Sequence, residues 1–110
     1  MEKEKLNDVT LKILARSWDL RCIIANEMIV GDSMMIRGII TCENIVKRIN
    51  PSILTEETVK NIEDEIKNNV LEEEEKYQRV NRFINAGIYR FIMMLNVLLM
   101  EKEAKKRIKE

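Results

Sequence analysis

The residues of this chain that could do chemistry include two acidic groups. Glu72 to Glu75 form an unbroken run, and Glu63 to Glu65 form a second group shortly before it. Carboxylates spaced three or four residues apart on two neighbouring helices can hold Mg²⁺. Only one side of such an arrangement is present, and several of these glutamates have a lysine or arginine four residues later, as is typical of a solvated helix face. We therefore predict no metal site and no cofactor.

Three arginines form the other candidate group, at Arg79, Arg82 and Arg90. Guanidinium groups bind phosphate or carboxylate in bidentate fashion, so this group could contact an anion or a nucleic acid. Nineteen basic and nineteen acidic residues give a net charge of zero, which removes the general attraction to nucleic acid. A nucleic-acid-binding or regulatory helical protein is thus the alternative function and is not favoured.

Histidine is absent from the sequence. General acid–base work near neutral pH would then fall to perturbed carboxylates, lysines or cysteines. The sequence also shows no glycine-rich loop and no nucleophile beside an evident base. We predict that the protein is not an enzyme.

The two cysteines, Cys22 and Cys42, lie in apolar stretches with helical spacing. The polar N-terminus lacks the apolar core of a signal peptide. This combination is typical of free thiols in an intracellular protein. We expect both thiols to be free and buried, and the protein to be cytoplasmic.

The elements that must position these residues are all helical. Apolar residues recur every three or four positions, and no strand alternation is visible. The length of 110 residues suits a single domain. The predicted fold is all-α, a bundle of about four helices with a long, strongly apolar C-terminal helix. The expected helices span about 7–30, 33–49, 56–68 and 70–106.

Turn signals mark the first two helices. Gly31 is suited to the left-handed residue that ends a helix, and Asp32 or Ser33 to the cap that begins the next. The Asn50–Pro51 pair ends the second helix, because the residue before proline is disfavoured in the α-helical region.

The second half of the chain leaves a choice between one helix and two. Thr55 is a good N-cap, and apolar spacing then continues without interruption, so a single helix of about 78 Å is one reading. Against it, Asn68 and Asn69 are poor helix formers, and the segment from Asn69 to Glu72 resembles a capping box. We favour a break at Asn68 and Asn69.

The run from Ile84 to Met100 is apolar nearly all round over its last ten residues. It is slightly shorter than the roughly 20 residues that cross a bilayer, and Asn85, Arg90 and Asn96 interrupt it, so we predict no membrane span. Gly87 would let another helix approach closely. A fourth helix that is acidic at its start and basic at its end could also pair with a second copy in antiparallel fashion.

The leading hypothesis is a small intracellular helical protein-interaction module that self-associates or joins a larger assembly. Its partner would be a protein, as a homodimer or a hetero-assembly. The expected core consists of Trp18, Ile24, Ile39, Val46, Ile84, Ile88, Phe91, Leu95 and Leu98. The expected partner-binding residues are Arg82, Arg90, Met93, Met94, Val97 and Met100.

Overall fold

The structure, a computed structural model, describes residues 5–77 and 82–108, with side chains described as far as Val70 in the third helix. In this part of the chain there are four helices and no strand: α1 (Asp8–Glu27), α2 (Asp32–Ile49), α3 (Glu56–Tyr77) and α4 (Arg82–Ile108). The predicted all-α fold with a long apolar last helix is confirmed.

The corner between α1 and α2 begins three residues earlier than predicted. Helix α1 ends at Glu27 because Met28 adopts a left-handed conformation, with φ of 50°. Gly31 is also left-handed, with φ of 81°, but it is the N-cap of α2, the position predicted for Asp32 or Ser33, and does not end α1. A side chain at Gly31 would collide with the ring of Phe83, so the corner packs directly on the start of α4.

Asn50 ends α2 and ties it to the start of α1. It is left-handed, with φ of 50°, and its side-chain oxygen accepts hydrogen bonds from the Asn7 backbone N–H and the Thr10 hydroxyl, both at 2.9 Å. The Asn7 amide donates to the Asn50 carbonyl at 2.8 Å. Asparagine tolerates this conformation better than most residues. Asn50 therefore both ends α2 and hydrogen-bonds it to the start of α1.

Helix α3 begins as predicted and ends later. The Thr55 hydroxyl accepts the Thr58 N–H at 3.1 Å, which is an N-cap hydrogen bond. The predicted break at Asn68 and Asn69 is wrong, since α3 continues to Tyr77. Each asparagine costs a helix only about 0.7 kcal/mol, and the partly buried Val70 packs against the core beyond them.

The longer α3 changes the charge pattern of α4. The run Glu72 to Glu75 belongs to α3, and α4 has no acidic residue in its first turn. The predicted pairing of two antiparallel copies of α4 needs an acidic start of the helix, and α4 does not have one. Arg79 lies outside the described residues.

Helices α2 and α4 cross at two glycines. A Cβ atom on Gly87 would lie 2.0 Å from the Met35 carbonyl oxygen, and one on Gly38 would lie 2.3 Å from the Ile84 carbonyl oxygen. The two backbones therefore touch, as expected for Gly87. Around this crossing lie the fully buried core residues Ile39, Val46, Phe91 and Leu95.

The predicted core is mostly correct, with exceptions in α1. Ile24, Ile88 and Leu98 are buried and Ile84 is partly buried, but Trp18 is 58% exposed. Cys22 is also exposed, so only Cys42 is a buried thiol. Helix α1 turns Ile13 and Ile24 inward, and residue 18 then falls on another face.

Candidate protein-interaction surface

Helix α4 has two apolar faces, and only one of them is covered. Phe91, Leu95 and Leu98 are buried in the core. On the outer side, Tyr89, Met93, Val97 and Met100 are 64%, 50%, 45% and 66% exposed, respectively. We call these four residues the α4 face. Their spacing of three or four residues places them in one row about 17 Å long.

Three of the predicted partner-binding residues, Met93, Val97 and Met100, thus lie on one exposed row. Met94 does not, because it is only 9% exposed and belongs to the core. Tyr89 was missed at the sequence level. Tyr89 lies four residues before Met93, and this helical spacing was the signal that could have identified it.

Ion pairs between α1 and α4 border the α4 face on one side. Arg90 lies 3.8 Å from Glu27, and Arg16 pairs with Glu101. The two pairs connect the helices in antiparallel order. Arg90 is therefore bound to a carboxylate of its own chain.

A polar contact to α3 borders the other side. The Asn96 amide donates to Glu63 at 3.2 Å and to the Ile92 carbonyl at 2.9 Å. Asn96 is exposed and forms part of a polar margin on this side of the α4 face.

The arginine group does not form one anion site among the described residues. Arg82 is exposed, and its guanidinium carbon lies 5.0 Å from the ring centre of Phe83. Arg90 is paired with Glu27, and Arg79 is not described. The structure therefore offers Arg82 as a cation at the start of α4 and Arg90 within an ion pair.

Acidic side chains in the described part of the chain do not gather into a metal site. An open groove of about 630 Å³ lies where α2 leads into α3, and its charged residues Glu57, Lys60 and Asp64 are all exposed helix residues. Burial, together with the neighbouring Glu43 carboxylate, raises the pKa of the Cys42 thiol to about 12. Cys42 is therefore protonated at neutral pH and is a poor nucleophile.

The contact between α1 and α2 contains a buried polar cluster that sequence reasoning missed. Glu43 is 6% exposed, and its Oε2 atom accepts the Ser17 hydroxyl at 2.6 Å. The same oxygen lies 2.9 Å from Arg21 Nε, although this buried N–H is not aligned for a hydrogen bond. The Arg21 guanidinium in turn lies 4.6 Å from the Trp18 ring centre. We call Ser17, Arg21 and Glu43 the polar cluster.

Helix α4 is long and apolar enough to cross a membrane by length and composition alone. Within its most apolar 18 residues, 33% of the stretch is buried inside the fold. Core helices of soluble proteins meet the same criterion.

Comparison with known proteins adds no further assignment. No protein-family model, curated protein or solved structure matches this chain.

Proposed function

We propose that this protein is a helical interaction module that binds an amphipathic helix of a partner protein on the α4 face. The observation that carries the proposal is the exposed row formed by Tyr89, Met93, Val97 and Met100 on a helix whose other side is the core. A row with this spacing matches the anchor positions with which one helix packs on another.

The surroundings of the row support the same function. Ion pairs to α1 lie on one side, and the hydrogen bond from Asn96 to Glu63 lies on the other. An apolar centre with a polar margin is the usual anatomy of a protein interface. Two of the four residues are methionines, whose flexible thioethers adapt to the shape of a partner.

The nucleic-acid alternative has less support. It needs several free cations on one surface, whereas Arg90 is paired with Glu27. The net charge of zero gives no long-range attraction to phosphate.

Photo-crosslinking inside cells tests the proposal. A photoreactive amino acid at Met93 or Val97 is expected to give one discrete adduct with another protein. The same amino acid at Lys60, an exposed residue of α3, serves as the matched control. Adding Met100→Glu to the Met93 probe should remove the adduct, because a carboxylate would be desolvated in the contact. Equal adducts at Lys60, or an adduct that survives Met100→Glu, would contradict the proposal.

A further inference from the structure

A second exposed apolar row runs along α1, away from α4. It consists of Leu11, Ala15, Trp18, Cys22 and Ala25, all exposed, with Leu11 at 50% and Trp18 at 58%. Their spacing alternates between four and three residues. This is the spacing of a coiled-coil seam, and it extends over about 21 Å. We call these five residues the α1 row.

The polar cluster holds the largest member of this row in place. Glu43 fixes Arg21, and the Arg21 guanidinium stacks on the Trp18 ring at 4.6 Å. A buried ion pair of this kind adds little net stability to a fold. Its effect here is to orient an exposed tryptophan, which is among the residue types that most often anchor interfaces.

We propose that the α1 row is a homodimer interface, in which α1 pairs antiparallel with α1 of a second copy about a twofold axis between Arg16 and Ser17. In this register Leu11 faces Cys22 of the second copy, and Ala15 faces Trp18 of the second copy. Each of these four layers sets a large side chain against a small one, which fills the centre of the seam.

Charge complementarity selects this register. Lys12 and Asp19 lie beside the row on the same flank, and both are exposed. The antiparallel pairing brings Lys12 of each copy next to Asp19 of the other, which gives two symmetric ion pairs. The zero net charge of the chain also leaves no overall repulsion between copies.

Other pairings of the same row fit less well. A parallel pair would set Trp18 against Trp18 and Ala15 against Ala15, which crowds one layer and leaves another empty. An antiparallel pair shifted by one heptad would bring the two Asp19 carboxylates together. Like charges in that position are destabilising.

The two proposed surfaces can be occupied together. Arg16 and Glu27, which form the ion pairs with α4, lie on the side of α1 opposite the α1 row. A dimer formed through α1 would therefore leave both α4 faces open. The homodimer does not depend on the function proposed for the α4 face.

A cysteine crosslink tests the register. In Leu11→Cys, the new thiol should lie beside Cys22 of the second copy, and oxidised glutathione should convert each such pair into a disulfide while two glutathione thiols are released. The wild type should form no such crosslink, because its two Cys22 residues would be about 17 Å apart along the axis, and a disulfide needs Cα atoms within about 7 Å. A Cys22-linked dimer of the wild type, or no crosslink in Leu11→Cys, would overturn the proposal.

Light scattering tests the interface and its charges. The wild type should have the mass of a dimer. Lys12→Asp and Asp19→Lys should each weaken the dimer at least tenfold, and the double variant should restore it. Lys105→Asp, on the exposed end of α4, is the matched control and should leave the dimer unchanged. A monomeric wild type, or a double variant as weak as the single ones, would contradict the pairing.

Discussion

Helix α2 contacts α4 and α1 in opposite ways. Against α4 the backbones touch at Gly38 and Gly87, and the surrounding side chains are apolar. Against α1 the contact contains a buried carboxylate, Glu43, with the hydroxyl and guanidinium of Ser17 and Arg21. The α2–α4 contact is governed by shape, and the α1–α2 contact by a few specific polar partners.

This difference explains why α1 and α4 differ in which of their apolar residues are exposed. Helix α1 has two apolar sides, one with Ile13 and Ile24 and the other with Leu11 and Trp18. Apolar burial alone favours neither side strongly. Glu43 accepts the Ser17 hydroxyl and lies beside Arg21 Nε, which points Ser17 and Arg21 inward and leaves Trp18 at the surface.

The largest expected effect comes from breaking the α2–α4 contact. Gly87→Leu would drive a side chain into the Met35 backbone, where a Cβ atom alone would lie 2.0 Å from the carbonyl oxygen. Overpacking against a rigid backbone should lower the free energy of unfolding by about 3 kcal/mol or more. Urea unfolding followed by circular dichroism measures this.

Ala104→Leu is the matched control for that experiment. It adds a large side chain to the same helix at an exposed position. Its free energy of unfolding should stay within about 0.5 kcal/mol of the wild-type value, the range of ordinary surface substitutions. A Gly87→Leu protein as stable as this control would mean that the helices do not approach as closely as described.

A smaller loss is expected from breaking the α1–α2 contact. Glu43→Ala removes the carboxylate and leaves Arg21 and Ser17 without their buried partner. Because Arg21 keeps some access to solvent, we expect a loss of about 2 kcal/mol rather than the larger values seen for fully buried pairs. Urea unfolding at low protein concentration separates this loss from any effect of dimerisation.

An apolar replacement of the whole cluster sharpens the comparison. The triple variant with Ser17→Ala, Arg21→Met and Glu43→Leu should be about as stable as the wild type, since apolar residues of similar volume often replace buried ion pairs at no cost. It should nevertheless dimerise more weakly, because Trp18 loses the guanidinium beneath its ring. If the triple variant unfolded as easily as Glu43→Ala, the cluster would be a source of stability and not of orientation.

The sequence predicted the fold class and the corner between α2 and α3 because these depend on local chemistry. The Asn50–Pro51 pair ends α2 and Thr55 begins α3, each through its own backbone or side chain. The break at Asn68 and Asn69 was predicted from intrinsic propensity, which is too weak to end a helix that the core continues to hold. Helix boundaries set by tertiary packing are not visible in a local pattern.

The candidate surfaces were only partly predictable for a related reason. The apolarity of α4 indicated that part of it would remain exposed, and Met93, Val97 and Met100 do. The exposure of Trp18 was missed, because it depends on Glu43, a residue of another helix. Nothing in the sequence of α1 alone shows which of its apolar sides faces inward.

The smallest expected effect concerns the end of α1. Met28 is left-handed and 84% exposed, so its side chain gains little from packing while its backbone adopts a conformation that favours glycine. Met28→Gly should therefore raise the free energy of unfolding by about 1 kcal/mol, measured by urea unfolding. Asn50→Gly, at the left-handed end of α2, is the matched control and should lower it, because the Asn50 side chain is hydrogen-bonded to Asn7 and Thr10. If the free energy of unfolding rises in Met28→Gly and falls in Asn50→Gly, then α1 ends in a strained residue and α2 in a stabilising one. A loss in both variants would mean that Met28 has a stabilising contact despite its exposure.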